Sequence, residues 1–82
     1  MLVKVFGIEK GMEEYQNVTT VRIKSKDYNL LIFKGYLSII GEIEGSFDIE
    51  FNEKKISYEN IHAYYINSND VFSIILGSDN NA

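Results

Sequence analysis

Ser46-Phe47-Asp48-Ile49-Glu50-Phe51 alternates at every step, with Phe47, Ile49 and Phe51 on one side and Ser46, Asp48 and Glu50 on the other. Successive side chains of an extended chain point to opposite faces, so this stretch predicts a strand with one face in a core and one in water. Upstream, Thr19–Lys24 repeats the pattern, setting Thr19, Val21 and Ile23 against Thr20, Arg22 and Lys24. Downstream, Ile61–Ile66 sets Ile61, Ala63 and Tyr65 against His62, Tyr64 and Ile66, so both faces carry apolar bulk. Val71–Leu76 is apolar except for Ser73, and Leu30–Phe33 has the same character. Both read as strands covered on two sides. Leu2–Phe6 is the expected opening strand.

Polar, turn-forming clusters separate these runs at Glu9–Gly11, Ser25–Asp27, Asn52–Lys55 and Asn67–Asp70. Asn67-Ser68-Asn69-Asp70 is the clearest, because Asn and Asp tolerate the left-handed backbone of tight hairpins. Gly35, Gly41 and Gly45 bracket Tyr36–Ile40 and predict bends there rather than one long strand. Gly11–Gln16 (GMEEYQ) reads as a single turn of helix or a polar crossing loop. Alanine occurs only at 63 and 82, while Val, Ile, Thr, Tyr and Phe abound, so helix has no other support. The predicted fold is all-β: a small single-domain β-sandwich or flattened barrel of about six to eight short, mostly antiparallel strands. Residues 1–76 form that single domain, and the polar tail 77–82 is expected to fray.

Composition narrows the function classes. The chain has 82 residues, 45% of them apolar and 24% charged, which suits one folded domain and excludes wholesale disorder. Twelve acidic residues against 8 basic ones give a net charge of −4, the wrong sign for displacing counterions from nucleic acid. No apolar run approaches the length of a membrane span, and no secretory leader is legible. With no cysteine, disulfides, thiolate nucleophiles and Cys-based metal sites are excluded. A cytoplasmic location is the expectation. A domain this small buries a modest share of its surface, so the 5 Phe and 6 Tyr must supply bulk, and self-association would supply more. The chain also lacks proline, a common blunter of sheet edges. Lys24, Lys26, Lys54 and Lys55 are the expected substitutes, with strand pairing to another chain as the alternative.

Chemistry-bearing residues are sparse. His62 is the only histidine, and it could act as a base beside Tyr64 or Glu59. No second metal-ligand type stands at a spacing that would build a centre around it. Glu42 with Glu44, and Asp48 with Glu50, are spaced like catalytic carboxylate pairs, but a solvated strand face produces the same spacing. Gly41-x-x-x-Gly45 lacks the Lys-Ser/Thr of a phosphate loop, and Asn17-Val18-Thr19 is a formal glycosylation sequon without a sign of export. The tyrosines offer rigid contact area at low entropic cost. The expected function is therefore a non-catalytic protein-binding or assembly module without cofactor or metal. Tyr36, Tyr58, His62 and Tyr64 are its candidate protein-binding residues, and its partner is another protein or a second copy. A homo-oligomeric structural domain and a small-ligand binder or enzyme centred on His62 are the alternatives.

Taken in order, the pattern resembles the N-terminal β-sandwich of the rotary ATP synthase epsilon subunit. In that family an opening strand and a crossing loop lead into a segment written roughly G-x-L-G-I-L-P-G-H-x-P-L-L. Leu30-Leu31-Ile32-Phe33-Lys34-Gly35-Tyr36-Leu37-Ser38-Ile39-Ile40 overlays its central part. Gly35 falls on the family glycine, Lys34 stands for the proline and Tyr36 for the histidine. Ile43–Ile49 matches the second glycine and its strand, and Glu59–Ile66 with Asp70–Leu76 matches the last hairpin. The family's C-terminal helical hairpin has no counterpart in the 82 residues. The resemblance implies a β-sandwich without catalytic residues that packs against larger partners.

Overall fold

The structure, a computed structural model, describes residues 1–8 and 10–77; the tail expected to fray lies, beyond Gly77, outside the described residues. Seven strands are present among them: β1 (Leu2–Gly7), β2 (Gly11–Tyr15), β3 (Thr20–Ser25), β4 (Asn29–Phe33), β5 (Ile39–Phe51), β6 (Lys54–Ser68) and β7 (Val71–Leu76). They form one sheet in the order β2-β1-β7-β6-β5-β3-β4. Every neighbouring pair is antiparallel except β1 with β7, which is parallel. The all-β reading holds.

The sheet curls over itself along its two long strands. β7 pairs with the C-terminal part of β6, Ala63–Ser68, whereas β3 pairs with the C-terminal part of β5, Gly45–Glu50. Each end of the β5–β6 hairpin thus belongs to a different layer. Tyr15 on β2 and Tyr58 on β6 are three positions apart in the sheet order, yet their hydroxyl oxygens lie 2.9 Å apart. Only a curled sheet brings strands spaced about 4.8 Å apart into that contact. Between the layers lie Val3, Val5, Val21, Ile23, Ile32, Ile43, Phe47, Ile49, Ala63, Tyr65, Phe72 and Ile74, all buried. Phe47 lies near the centre, stacked on Tyr58 at 4.9 Å between ring centroids and tilted against Phe72 at 6.4 Å.

Two tight turns and one bulge set the register. Asn52 and Glu53, and again Asn69 and Asp70, have positive φ, so each pair makes the two-residue turn whose twist suits a hairpin. Phe51 therefore faces Lys54, and Ser68 faces Val71. Along β5–β6 the register slips by one between Phe47↔Tyr58 and Gly45↔Ile61. The extra residue lies on β6, where Asn60 takes φ 56°. The inward set of β6 accordingly changes phase, from Ile56 and Tyr58 to Ile61, Ala63 and Tyr65.

Four expectations need correction. Gly11–Gln16 is neither a helical turn nor a crossing loop, because Gly11–Tyr15 is strand β2, paired with β1. The glycines at 41 and 45 do not break β5, which runs through both. Gly41 instead leaves room for the Tyr65 ring, whose atoms stand where a side chain would begin. Not all strands are short, since β5 and β6 have 13 and 15 residues. Finally, β7 and β4 are not covered on both sides: Ile75, Leu31 and Phe33 are exposed, because in a two-layer fold each strand keeps one outward face.

Candidate functional site

The two outer faces differ in chemistry. On the layer containing β3, Thr20, Arg22 and Lys24 stand in register with Glu50, Asp48 and Ser46. Arg22 Nε donates to Glu50 Oε2 at 3.1 Å, and Lys24 Nζ lies 3.8 Å from Asp48 Oδ2. The expected solvated face is thus only partly so: Asp48 is buried against Lys24 and Glu50 is half-buried against Arg22, so each carboxylate of the pair is engaged by a cation of β3.

The opposite outer face is apolar. Its register runs Met12↔Phe6, Phe6↔Ile75, Ile75↔Tyr64 and Tyr64↔Glu42, one straight row across β2, β1, β7, β6 and β5. The neighbouring row runs Glu14↔Lys4, Lys4↔Ser73, Ser73↔Ile66 and Ile66↔Ile40. Directly opposed side chains share a face. Met12, Phe6, Ile75, Tyr64, Ile66 and Ile40 therefore form a continuous patch, each between 39% and 76% exposed. Glu14 and Glu42 close the two ends, and exposed Glu44 stands one step beyond Glu42. Scattered single apolar side chains are ordinary on a protein surface, whereas a contiguous group of six is not.

His62 and Tyr64 both lie on this face, their ring centroids 5.4 Å apart. His62 Nε2 meets Glu42 Oε2 across the β5–β6 ladder, an ion pair when the imidazole is protonated. Glu59, the carboxylate expected beside His62, stands on the other side of the Asn60 bulge. Among the described residues no three His, Cys, Asp or Glu side chains converge as a metal site would require.

Tyr58 and Tyr36 sit elsewhere. Tyr58 points inward, donating to Glu13 Oε1 at 2.9 Å and touching the Tyr15 hydroxyl. This cluster lines a cleft of about 690 Å³ between β2 and the N-terminal part of β6, walled also by Val5, Ile56 and Leu76. Tyr36 lies in the β4–β5 loop, with its ring edge-on to Phe33 at 5.7 Å. Asp70 Oδ1 accepts from the Gly35 N–H at 2.7 Å, and Asn67 Nδ2 donates to the Leu37 carbonyl at 3.0 Å, so that loop is held down. A second cleft, about 420 Å³, lies between Tyr28 and the free edge of β5, where the Tyr28 hydroxyl donates to the Glu42 carbonyl at 2.7 Å. The patch residues Phe6, Met12, Ile40, Ile66 and Ile75 were not singled out in the sequence. Their signal is the apolar side chain at an outward-phase position, which becomes readable only once the phase of each strand is known.

Burial, followed by hydrogen bonding to Tyr15 and Glu13, raises the Tyr58 pKa; burial, followed by the Tyr28 hydroxyl, raises that of Tyr65. Their unfolded reference is about 10. Both groups therefore favour the folded state fully below that pH, and the contribution is lost as the pH rises above it. Ultraviolet titration should find Tyr58 and Tyr65 ionising above the ordinary tyrosine range, with stability falling above pH ~10. In Tyr58→Phe the alkaline loss should be shallower. An equal slope in variant and parent would contradict the buried hydrogen-bonded hydroxyl.

No protein-family model matches the chain, and no curated protein matches it at a significant level.

Proposed function

We propose that this protein is a non-catalytic assembly module that docks a larger protein through the outer face of β2, β1, β7 and β6. One observation carries the reading: the row Met12, Phe6, Ile75 and Tyr64, extended by Ile66 and Ile40, on a face that no other element covers among the described residues. Leaving such side chains partly in water forgoes a share of the about 1.5–3 kcal/mol that full burial of each returns. The partner is a protein presenting an apolar surface flanked by Lys or Arg. Glu14, Glu42 and Glu44 rim the patch, and the chain as a whole carries −4. Acidic rims steer and orient such an encounter, while the aromatic and aliphatic centre supplies affinity. Of the expected binding set, Tyr64 and His62 stand on this face, while Tyr58 points inward and Tyr36 lies in the β4–β5 loop.

Ile75→Glu tests the reading. Ile75 is outward, so the substitution should change stability by under ~1 kcal/mol. It places a charge at the centre of the interface, so binding should fall at least ~30-fold, as for loss of a hot-spot residue. Ser57→Lys, on the polar outer face opposite Asp48, is the matched control. Quantitative capture from host lysate should recover a fixed-ratio partner with the parent and with Ser57→Lys, and lose it with Ile75→Glu. If rotary ATP synthase subunits are what is recovered, the epsilon resemblance becomes the working assignment. Equal recovery by all three proteins would refute the proposal.

A further inference from the structure

The sheet has two terminal strands, and they are protected unequally. β2 carries Glu13 and Glu14, so pairing with another β2 would oppose like charges. β4 reads Asn29-Leu30-Leu31-Ile32-Phe33, without charge, proline or glycine. Native sheets blunt such edges, because a row of free N–H and C=O groups is a template for another strand. Lys24, Lys26, Lys54 and Lys55, expected to protect the edges, lie on β3, the β3–β4 turn and the start of β6.

The free groups of β4 can be assigned. Ser25 and Tyr28 exchange both backbone bonds at the turn, so their ladder phase makes Ile23–Leu30 and Val21–Ile32 the bonded pairs. Leu30 and Ile32 therefore spend their backbone groups on β3. Those of Asn29 and Leu31 and the Phe33 N–H face away from the sheet, while the Phe33 carbonyl accepts from Tyr36 N–H at 3.0 Å. Leu31 and Phe33 also place side chains on the outer surface, 39% and 49% exposed.

We infer that β4 pairs antiparallel with β4 of a second copy, about a two-fold axis through Leu31. In that register each Leu31 opposes its own equivalent as a bonded pair, which is the phase its free N–H and C=O require. Asn29 opposes Phe33 of the partner at both ends, and the outward Leu31 and Phe33 side chains of the two copies share one face. Just beyond the ladder, Lys34 of each copy comes opposite Tyr28 of the other. The interface is self-complementary in hydrogen bonds and apolar area, and it leaves the face of β2, β1, β7 and β6 open for the proposed partner.

Sedimentation equilibrium across a concentration series tests this. The parent chain should shift from 9.4 kDa towards twice that mass. Leu31→Lys puts two ammonium groups opposite each other, and should remain monomeric wherever the parent is at least half dimeric. Leu31→Pro removes only a N–H that the monomer does not use, and should also abolish the dimer while the circular dichroism of the folded chain persists. An equimolar mixture of Leu31→Lys and Leu31→Glu should recover a one-to-one dimer that neither forms alone. The inference is overturned if the parent stays monomeric throughout. It is equally overturned if Leu31→Lys dimerises like the parent, or if Ile75→Glu rather than Leu31→Lys dissolves the dimer.

Discussion

Phe47→Ala should leave the chain barely folded at 25 °C. Phe47 is fully buried near the meeting point of the two layers, parallel to Tyr58 and inclined to Phe72. Truncating a phenylalanine at such a site costs about 3–5 kcal/mol, through lost transfer free energy and the cavity left behind. The stacked ring adds about 0.5–1.5 kcal/mol. A chain of 82 residues carries in all only about 4–12 kcal/mol. The melting temperature should fall by at least ~15 °C, at roughly 4–8 °C per kcal/mol for a domain of this size. Tyr64→Ala, which removes an outward ring, should move it far less. A thermal scan placing the two variants within a few degrees of each other would mean that Phe47 is not central to the core.

Gly45→Ala should be nearly as severe, although it adds a single methyl group. A β-carbon at this position would lie 2.3 Å from the Lys24 carbonyl oxygen, a backbone atom of β3 that cannot swing aside. Its φ of 154° adds strain for any residue with a side chain. Relief requires β3 to part from β5 where Lys26 N–H bonds the Glu44 carbonyl, so the ladder that carries β3 and β4 loosens. The expected loss is above ~3 kcal/mol, combining backbone strain with broken pairing. Gly11→Ala is the comparison: its φ is also positive, but the space around it is open, and it should cost about 1 kcal/mol. Chemical denaturation curves of the two variants separate the explanations. Similar midpoints would mean that conformational freedom alone, rather than the approach of β3, explains Gly45.

Which parts of this fold were readable from the sequence follows from where the information is local. The alternation over Ser46–Phe51 and Thr19–Lys24 placed Ile49, Phe47, Val21 and Ile23 inside, because strand phase needs only neighbouring residues. The Asn-rich turn before Val71 was equally local. β2 does not look like a strand in the sequence because its polarity is inverted: Met12 points out, while Glu13 accepts a hydrogen bond from the inward Tyr58. Glycines 41 and 45 look like breaks in the sequence, but their role is close approach, to Tyr65 and to Lys24, which is a property of the tertiary structure. The pairing of His62 with Glu42 depends on register. The Asn52–Glu53 turn alone would oppose Glu42 to Ala63, and the extra residue at Asn60 moves it to Tyr64 and beside His62. A phase slip in the apolar positions, from Tyr58 to Ile61, was the available signal for that bulge. The outer patch was hidden for a related reason: Ile75 and Ile74 look alike in sequence, and only the curl of the sheet decides which faces water.

The most direct test of the docking face is photo-crosslinking in living cells of the native host. A benzoylphenylalanine replaces Tyr64 in one protein and Ser57, on the opposite polar face, in another. The account predicts a discrete protein adduct from position 64, absent from position 57 and lost when Ile75→Glu is introduced into the same chain. Equal adducts from both positions, or an adduct at 64 that survives Ile75→Glu, would contradict it.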